Sequence, residues 1–454
     1  MTPAESRTAD AAATVEPGGD GADFWERTED YVLEAVPQAR RKSWFSIAVI
    51  MMGVGINVTS LILGVTLANG MSTGRAIAAV AVGSLLLAIL GVVCSVIGSR
   101  SGLSTPMIAC YAFGRAGARI VALLLGIVSL GWFGVQAGFL GQNLASLLQS
   151  FGWHLPASWL AMAGGVLMTW TAVFGYRALD RLSRWAVPLM VALIAIAVTL
   201  LIMRTAAPAP WSGAAASMSF GSAVAFVFGI LVSAAATFPD LSRYALSTRD
   251  AAVGAFVGLL LGNSVMLIVA IVLARYTGEA DLVRMFAATN MSVAAVLVLT
   301  LSQWVTNAAN LYSASLAFPV VAPEARIPKA IHAIAAGVLG TALGASGIAD
   351  HFLQFLLILS IGITPIGGAY VAYYFVTLRG TFLAEPPNVI MLPLVGWLAG
   401  VLCAWLTTAQ DPASGNFGAG LFTLSTVPPL DGFAVAFLVV CLPSLYRRLR
   451  RGFR

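Results

Sequence analysis

The sequence predicts an all-α polytopic membrane protein with about twelve transmembrane helices. Three observations point there. Of 454 residues, 59% are hydrophobic and 10% charged, against roughly 45–50% and ~25% in soluble domains. Apolar runs of about 20 residues recur along the chain, the length a helix needs to cross hydrocarbon. The strand-length alternation that marks an outer-membrane barrel does not occur in the sequence.

Residues 1–43 read as an acidic tail. The first 36 hold nine acids, from Glu5 to Glu34, and two bases, Arg7 and Arg27. No basic start leads into an apolar segment, so this is not a signal peptide, and the composition is that of a mobile soluble tail. "RRK" at Arg40–Lys42 meets the bilayer surface. Apolar spans then follow at about 44–70, 76–99, 118–147, 157–175, 184–203, 219–238, 251–274, 291–317, 330–347, 351–377, 388–408 and 431–446. They group as a first five-helix unit (44–203), a second (219–377), a final pair (388–446) and a basic tail (447–454).

Charge sets the orientation. With the N-terminus cytoplasmic, twenty-one Lys and Arg lie inside and only Arg75, Arg204, Arg275 and Arg284 outside. That is a strong positive-inside bias, with both termini cytoplasmic and the chain in a plasma or inner membrane. The net charge of +6 then faces anionic headgroups and calls for no nucleic acid. Cys94, Cys110, Cys403 and Cys441 are scattered without a CxxC pair and read as small hydrophobes.

The spans contain neutral polarity at chosen places. The first is interrupted by "GVGINVTS", with two glycines and Asn57. The sixth, "FGILVSAAATFPDLSRYA", carries Gly229 and Ser233. These two hold equivalent places in the five-helix units, and paired broken helices are the best sequence pointer to a transporter's midplane site. The third, "SLGWFGVQAGFLGQN", sets Trp132 and Gln136 four apart, on one helical face. The eighth, "LSQWVTNAANLYSAS", repeats Ser302, Thr306 and Asn310 at the same spacing, with Asn307 beside them.

Taken singly, such residues commonly just join helices, at about 0.6 kcal/mol each. An aromatic plane and an amide on one face, with further amides on another helix, make a site for a flat, uncharged, hydrogen-bonding ligand. Stacking a base on an aromatic ring contributes ~1–3 kcal/mol. None of the nineteen acids lies near the middle of a span, and His154, His332 and His351 sit near interfaces. Without a nucleophile and base or a metal-ligand cluster, the chain is not expected to be an enzyme or to hold a cofactor. A channel would want a continuous polar stripe or rings of charge. Here polarity is concentrated at one depth on spans one, three, six and eight. A receptor would bind the ligand without moving it.

Through "GLSTPMIACYAFGRAG", "LGWFGVQ", "FPDLSRYA" and "QWVTNAANLYSASLAF", the chain from about Val36 to the last span resembles the nucleobase–cation symporter-1 family, in particular its cytosine permease-like branch. The resemblance implies a leucine-transporter-type fold: spans 1–5 and 6–10 as inverted repeats, then two further helices. It implies secondary active import of a nucleobase or related planar heterocycle by cation symport. Carried over by position, Trp132 stacks on the ring and Gln136 bonds its edge. Gly229, Leu231 and Ser233 form the opposite wall, Asn307 bonds the substrate and Asn310 assists. A sodium ion falls to the carbonyls of Gly53, Ile56 and Ser302 and the hydroxyl of Thr306.

The sequence also departs from that branch. Ser129 stands where it carries a glutamine, and Gln136 matches the hydantoin-type placement. Ile230 and Leu231 replace a more polar or aromatic pair, and Val305 replaces the second hydroxyl of the sodium set. Cytosine, uracil, a purine, a hydantoin and a pyrimidine precursor all remain open as substrate. Coupling is open between sodium, which is favoured, a proton reaching an interfacial group, and none. Asp240 and Arg243, three apart after the sixth span, are expected at the interface, paired with each other or locking a neighbouring loop.

Overall fold

A computed structural model describes residues 31–204, 218–278, 292–411 and 416–452. Residues 1–30 of the acidic tail, the loop carrying Arg284 and the last two residues of the basic tail lie outside the described residues.

Helices occupy all twelve expected spans. The first is a pair, α1 (Trp44–Gly55) and α2 (Val58–Gly70), bent by 59° at the break. Then come α3 (Thr73–Ser101), α4 (Thr105–Ser150), α5 (Ala157–Val173) and α6 (Gly175–Arg204). The sixth span is three short helices, α7 (Phe220–Gly229), α8 (Val232–Ala236) and α9 (Pro239–Ser242). The second unit continues with α10 (Thr248–Thr277), α11 (Ser292–Val321), α12 (Lys329–Ala345) and α13 (Phe352–Ala372). Last are α14 (Met391–Thr407) and α15 (Pro428–Gly452), with two paired antiparallel strands of two residues each between them, β1 (Gln410–Asp411) and β2 (Asn416–Phe417). Five of these helices are long and apolar enough to cross a membrane alone, and the bent pair makes a sixth.

The third span starts earlier than its charges suggested. α4 begins at Thr105 and turns at Gly114, whose φ of 79° suits glycine. A Cβ there would also meet the backbone of Val389 at 2.6 Å. The stretch before Gly114 is apolar enough to continue the helix, so the bases Arg115 and Arg119 mark the bend instead of the helix start.

The packing divides the helices by span number. α10 lies against α1, α2 and α3, and α7 against α3, so spans one, two, six and seven form one group. α4, α5, α11 and α12 form the other, from spans three, four, eight and nine. For spans one to four, span n and span n + 5 fall in the same group, as a 5+5 repeat requires. α6 (span five) bridges α1 and α11, and α13 (span ten) reaches α8 and α4; α14 and α15 cover α13 from outside. Small residues bring the first group together. A Cβ on Gly55 would sit 2.4 Å from the Gly262 carbonyl carbon, so the end of α1 rests on the α10 backbone as membrane helices do at small-residue contacts.

Candidate functional site

The site is built around the break in the first span. After Gly55, Ile56 leaves the helix (φ −78°, ψ 78°) and Asn57 is extended. Asn57 satisfies both sides of the gap. Its amide nitrogen donates to the Val54 carbonyl at 2.7 Å, while its oxygen accepts from the Ser60 N–H at 2.8 Å as the α2 N-cap. Ser60 Oγ donates to the Gly55 carbonyl at 3.1 Å. Free backbone carbonyls in lipid are costly, and these side chains leave few of them bare. The sixth span breaks more gently, at Ile230 and Leu231, where Leu231 adopts φ −119° and ψ 14°.

Between the two breaks and α4 and α11 lies a cavity of about 60 Å³. At roughly 10–15 Å³ each, that is space for a few waters, so a ring compound requires the walls to part. Its lining comes from five spans: Met51 and Val54 on α1, Ser129 and Trp132 on α4, Ser233 and Thr237 on the sixth, Asn310 and Ser313 on α11, and Ile363 on α13. It occupies the half of the molecule that carries the start of α1 and the end of the sixth span. In the other half, hydrogen bonds among the described residues join the end of the first span to its neighbours. There, Met218 N–H donates to the Gly70 carbonyl at 2.9 Å and Arg275 to the Met71 carbonyl at 2.7 Å.

Of the residues expected at a substrate site, Trp132, Ser233 and Asn310 line this one cavity. The Trp132 ring is backed by Phe355 (5.4 Å, 80°) and Phe352 (6.0 Å, 58°) of α13. Gln136, one turn farther along α4, is fully buried, and neither its amide nitrogen nor its oxygen has a partner among the described residues. Asn307 stands behind the wall. Its nitrogen reaches the Phe133 carbonyl and Met168 Sδ, both at 3.3 Å, and its oxygen accepts from Asn310 at 3.3 Å. In this geometry Asn307 orients Asn310, and Asn310 faces the space. Gly229 and Leu231 are buried outside the lining, where a Cβ on Gly229 would meet Ser360 Oγ at 3.3 Å.

The oxygens expected to hold sodium come from α1 and α11, which pack together. Thr306 Oγ1 donates to the Ser302 carbonyl at 2.9 Å and lies 3.5 Å from the Val54 carbonyl. The Ser302 hydroxyl is turned to Leu299, at 2.8 Å. Apolar side chains close the Gly53 side: a Cβ there would be 2.5 Å from a Val305 methyl and 3.0 Å from one of Val187. The expected ligands, three carbonyls and one hydroxyl, include no carboxylate.

Asp240 departs from expectation. Instead of an interfacial loop it occupies a site only 2% exposed, at the end of the cavity lining. Its Oδ1 accepts from the Thr105 N–H at the start of α4, at 2.7 Å. Arg243, fully buried, donates to the Tyr31 carbonyl and the Tyr312 hydroxyl at 2.7 Å each. The pair thus ties the sixth span to α4, α11 and the chain before α1. The signal was legible in "FPDLSRYA": an acid and a base three apart directly after an apolar run.

A family model described as permease for cytosine/purines, uracil, thiamine, allantoin matches residues 35–385. The chain is 30% identical over 414 residues to the cytosine permease of Escherichia coli (strain K12), covering 89% of this chain and 92% of that protein. Its fold is similar to that of Mhp1, a nucleobase-cation-symport-1 family transporter, in the closed conformation with bromovinylhydantoin bound. There the TM-score is 0.76 at 18% identity, over 92% of this chain and 95% of that one. The inward-facing conformation of Mhp1 gives 0.74 at 19% identity, over 93% and 94%.

Proposed function

The chain belongs to the family of permeases for cytosine/purines, uracil, thiamine and allantoin, and from that premise we propose that it imports a nucleobase or related planar heterocycle by cation symport with alternating access. The observation that carries this reading is the cavity bounded by Trp132, Ser233 and Asn310, one side chain from each of three spans. Trp132, backed by two phenylalanines, offers a fixed plane for stacking. Gln136 supplies a donor and an acceptor that have no partner among the described residues. That pattern is complementary to a cis-amide or amidine edge, which pyrimidines, purines and hydantoins share. Ser233 and Asn310 read the opposite edge, with Asn307 holding Asn310, while Gly229 and Leu231 shape the sixth-span wall behind them.

Import is expected across a plasma or inner membrane with both termini cytoplasmic, which puts the cavity on the cytoplasmic side. The coupling ion is sodium, held by the carbonyls of Gly53, Ile56 and Ser302 and the hydroxyl of Thr306. The methyls of Val305 and Val187 against Gly53 favour a second reading, in which the sodium set is too poor in donors and transport runs on a proton or uncoupled. Uptake into proteoliposomes with sodium replaced by choline, at two external pH values, separates these. Thermal-shift screening of cytosine, uracil, adenine, allantoin and a hydantoin tests the substrate class, and no shift with any of them would refute it. Trp132→Ala should remove the stabilisation that the best ligand gives.

A further inference from the structure

The side of Trp132 away from the cavity holds a second row of chemistry. Trp132, Gln136 and Asn143 follow at spacings of four and seven, so they form one line along α4. The cavity takes in only the Trp132 end of that line. Beyond it, both amide atoms of Gln136 and the amide nitrogen of Asn143 are buried without a partner among the described residues. Buried polar side chains are ordinarily paired, so consecutive unpaired amides on one face mark a path along which a ligand supplies the missing bonds.

The start of α13 lies along this line. The Phe352 ring at the start of α13 meets Phe139 edge-on, at 5.8 Å and 73°, and leans on Trp132. Just before it, Asp350 Oδ1 accepts from the exposed Gln142 Nε2 at 3.0 Å. Beside these contacts the turn before α13 packs on α4, where a Cβ on Gly138 would sit 2.9 Å from that of Ala349; a small-residue contact of this kind lets one helix move on another without unpairing polar groups.

Building on the transport reading above, we propose that Asn143, Phe139 and Phe352 form an outer subsite that takes the heterocycle before Trp132 does. When the start of α13 lifts from α4, the two phenyl rings part and a flat uncharged ring enters between them. The Asn143 amide donates to a carbonyl or ring nitrogen at its edge. The ligand then moves about 10 Å along the helix, seven residues at ~1.5 Å each, to Gln136 and Trp132. The required ligand is planar, neutral and carries an acceptor on its rim.

Stopped-flow tryptophan fluorescence on the full chain in nanodiscs, with cytosine and then uracil as probes, tests this. Asn143→Leu should slow association about tenfold and dissociation by a similar factor, leaving the equilibrium Kd within about twofold. Phe139→Leu should act in the same direction. Unchanged association in both variants overturns the subsite. So does a raised Kd with unaltered association, which would put Asn143 in the final site. If the unmutated chain binds none of the heterocycles in the thermal-shift screen, the transport reading fails, and the subsite with it.

Discussion

Gln136→Leu should make the protein more stable without ligand and much less responsive to it. Two amide atoms of Gln136 are buried without partners. An unmade hydrogen bond in a buried place costs about 1–3 kcal/mol, so replacing the amide by an apolar side chain of similar volume should return about 2 kcal/mol or more to the empty state. The ligand-bound state moves the other way. Two lost hydrogen bonds at ~1–1.5 kcal/mol each come to about 3 kcal/mol, roughly a hundredfold in Kd. At a ligand concentration a hundred times the native Kd, the native protein gains ~2.7 kcal/mol from binding. At that concentration the variant sits near its own Kd and gains only RT ln 2, about 0.4 kcal/mol. Differential scanning fluorimetry of both proteins, with and without ligand, reads both signs in one experiment. A variant that is less stable when empty and keeps the full ligand shift would refute the reasoning: Gln136 would then be a packing residue whose partners the ligand does not supply.

Three further outcomes follow from the same geometry. Val305→Thr exchanges a methyl beside Gly53 for a hydroxyl of nearly equal volume; it should lower the sodium concentration for half-maximal uptake several-fold, and an unchanged sodium curve would dissociate this position from the ion. Gly55→Ala drives a methyl into the Gly262 backbone and should cost at least ~1–3 kcal/mol by overpacking, read as lower yield of monodisperse protein, whereas normal yield and Tm would show that α1 can shift on α10. Asp240→Asn keeps an acceptor for the Thr105 N–H but removes the charge that strengthens that bond, a loss of about 1.5–3 kcal/mol; a Tm matching the unmutated protein would mean the charge adds nothing to this contact.

The fold was legible because lipid imposes a strict rule: every backbone polar group must be satisfied inside its own helix. Runs of apolar residues therefore report helices almost directly, and the interruptions report breaks. "GVGINVTS" fell where α1 and α2 separate, and Asn57, whose type suggested only polarity, is the residue that closes the gap. Tertiary partners were less legible. Asn307 and Asn310 differ by three residues and look equivalent in sequence, yet one faces Phe133 and Met168 while the other faces the cavity. That choice depends on how α11 is rotated against α4 and α5, which no single-helix pattern contains. The burial of Asp240 escaped the sequence for a related reason. A charge after an apolar run normally marks the interface, and only the packing of α9 on α3 and the nearby start of α4 removes it from water.

The division of the helices into two groups explains why the site tolerates unpaired amides at all. Trp132, Gln136 and Asn310 belong to the group of spans three, four, eight and nine, and Ser233 to the other. The proposed sodium ligands straddle the same boundary, with Gly53 on α1 and Ile56 in the break after it, and Ser302 and Thr306 on α11. Side chains that bonded each other across that boundary would lock the groups together and oppose any change between inward and outward access. Asp240 and Arg243 already tie the groups at one end of the cavity; leaving the Gln136 donor and acceptor open keeps the Trp132 end unbridged until a ligand arrives, so the bridging energy there is available for the conformational step. A ligand shifts such an equilibrium only by its differential affinity for the two states. A ring that reached Trp132 and Gln136 without also meeting Ser233 would therefore bind without driving transport. Ser233→Ala should accordingly leave binding by thermal shift nearly intact, within about 1 kcal/mol, while reducing counterflow in proteoliposomes. Equal loss of binding and counterflow would show that the two groups of helices are not coupled through the substrate.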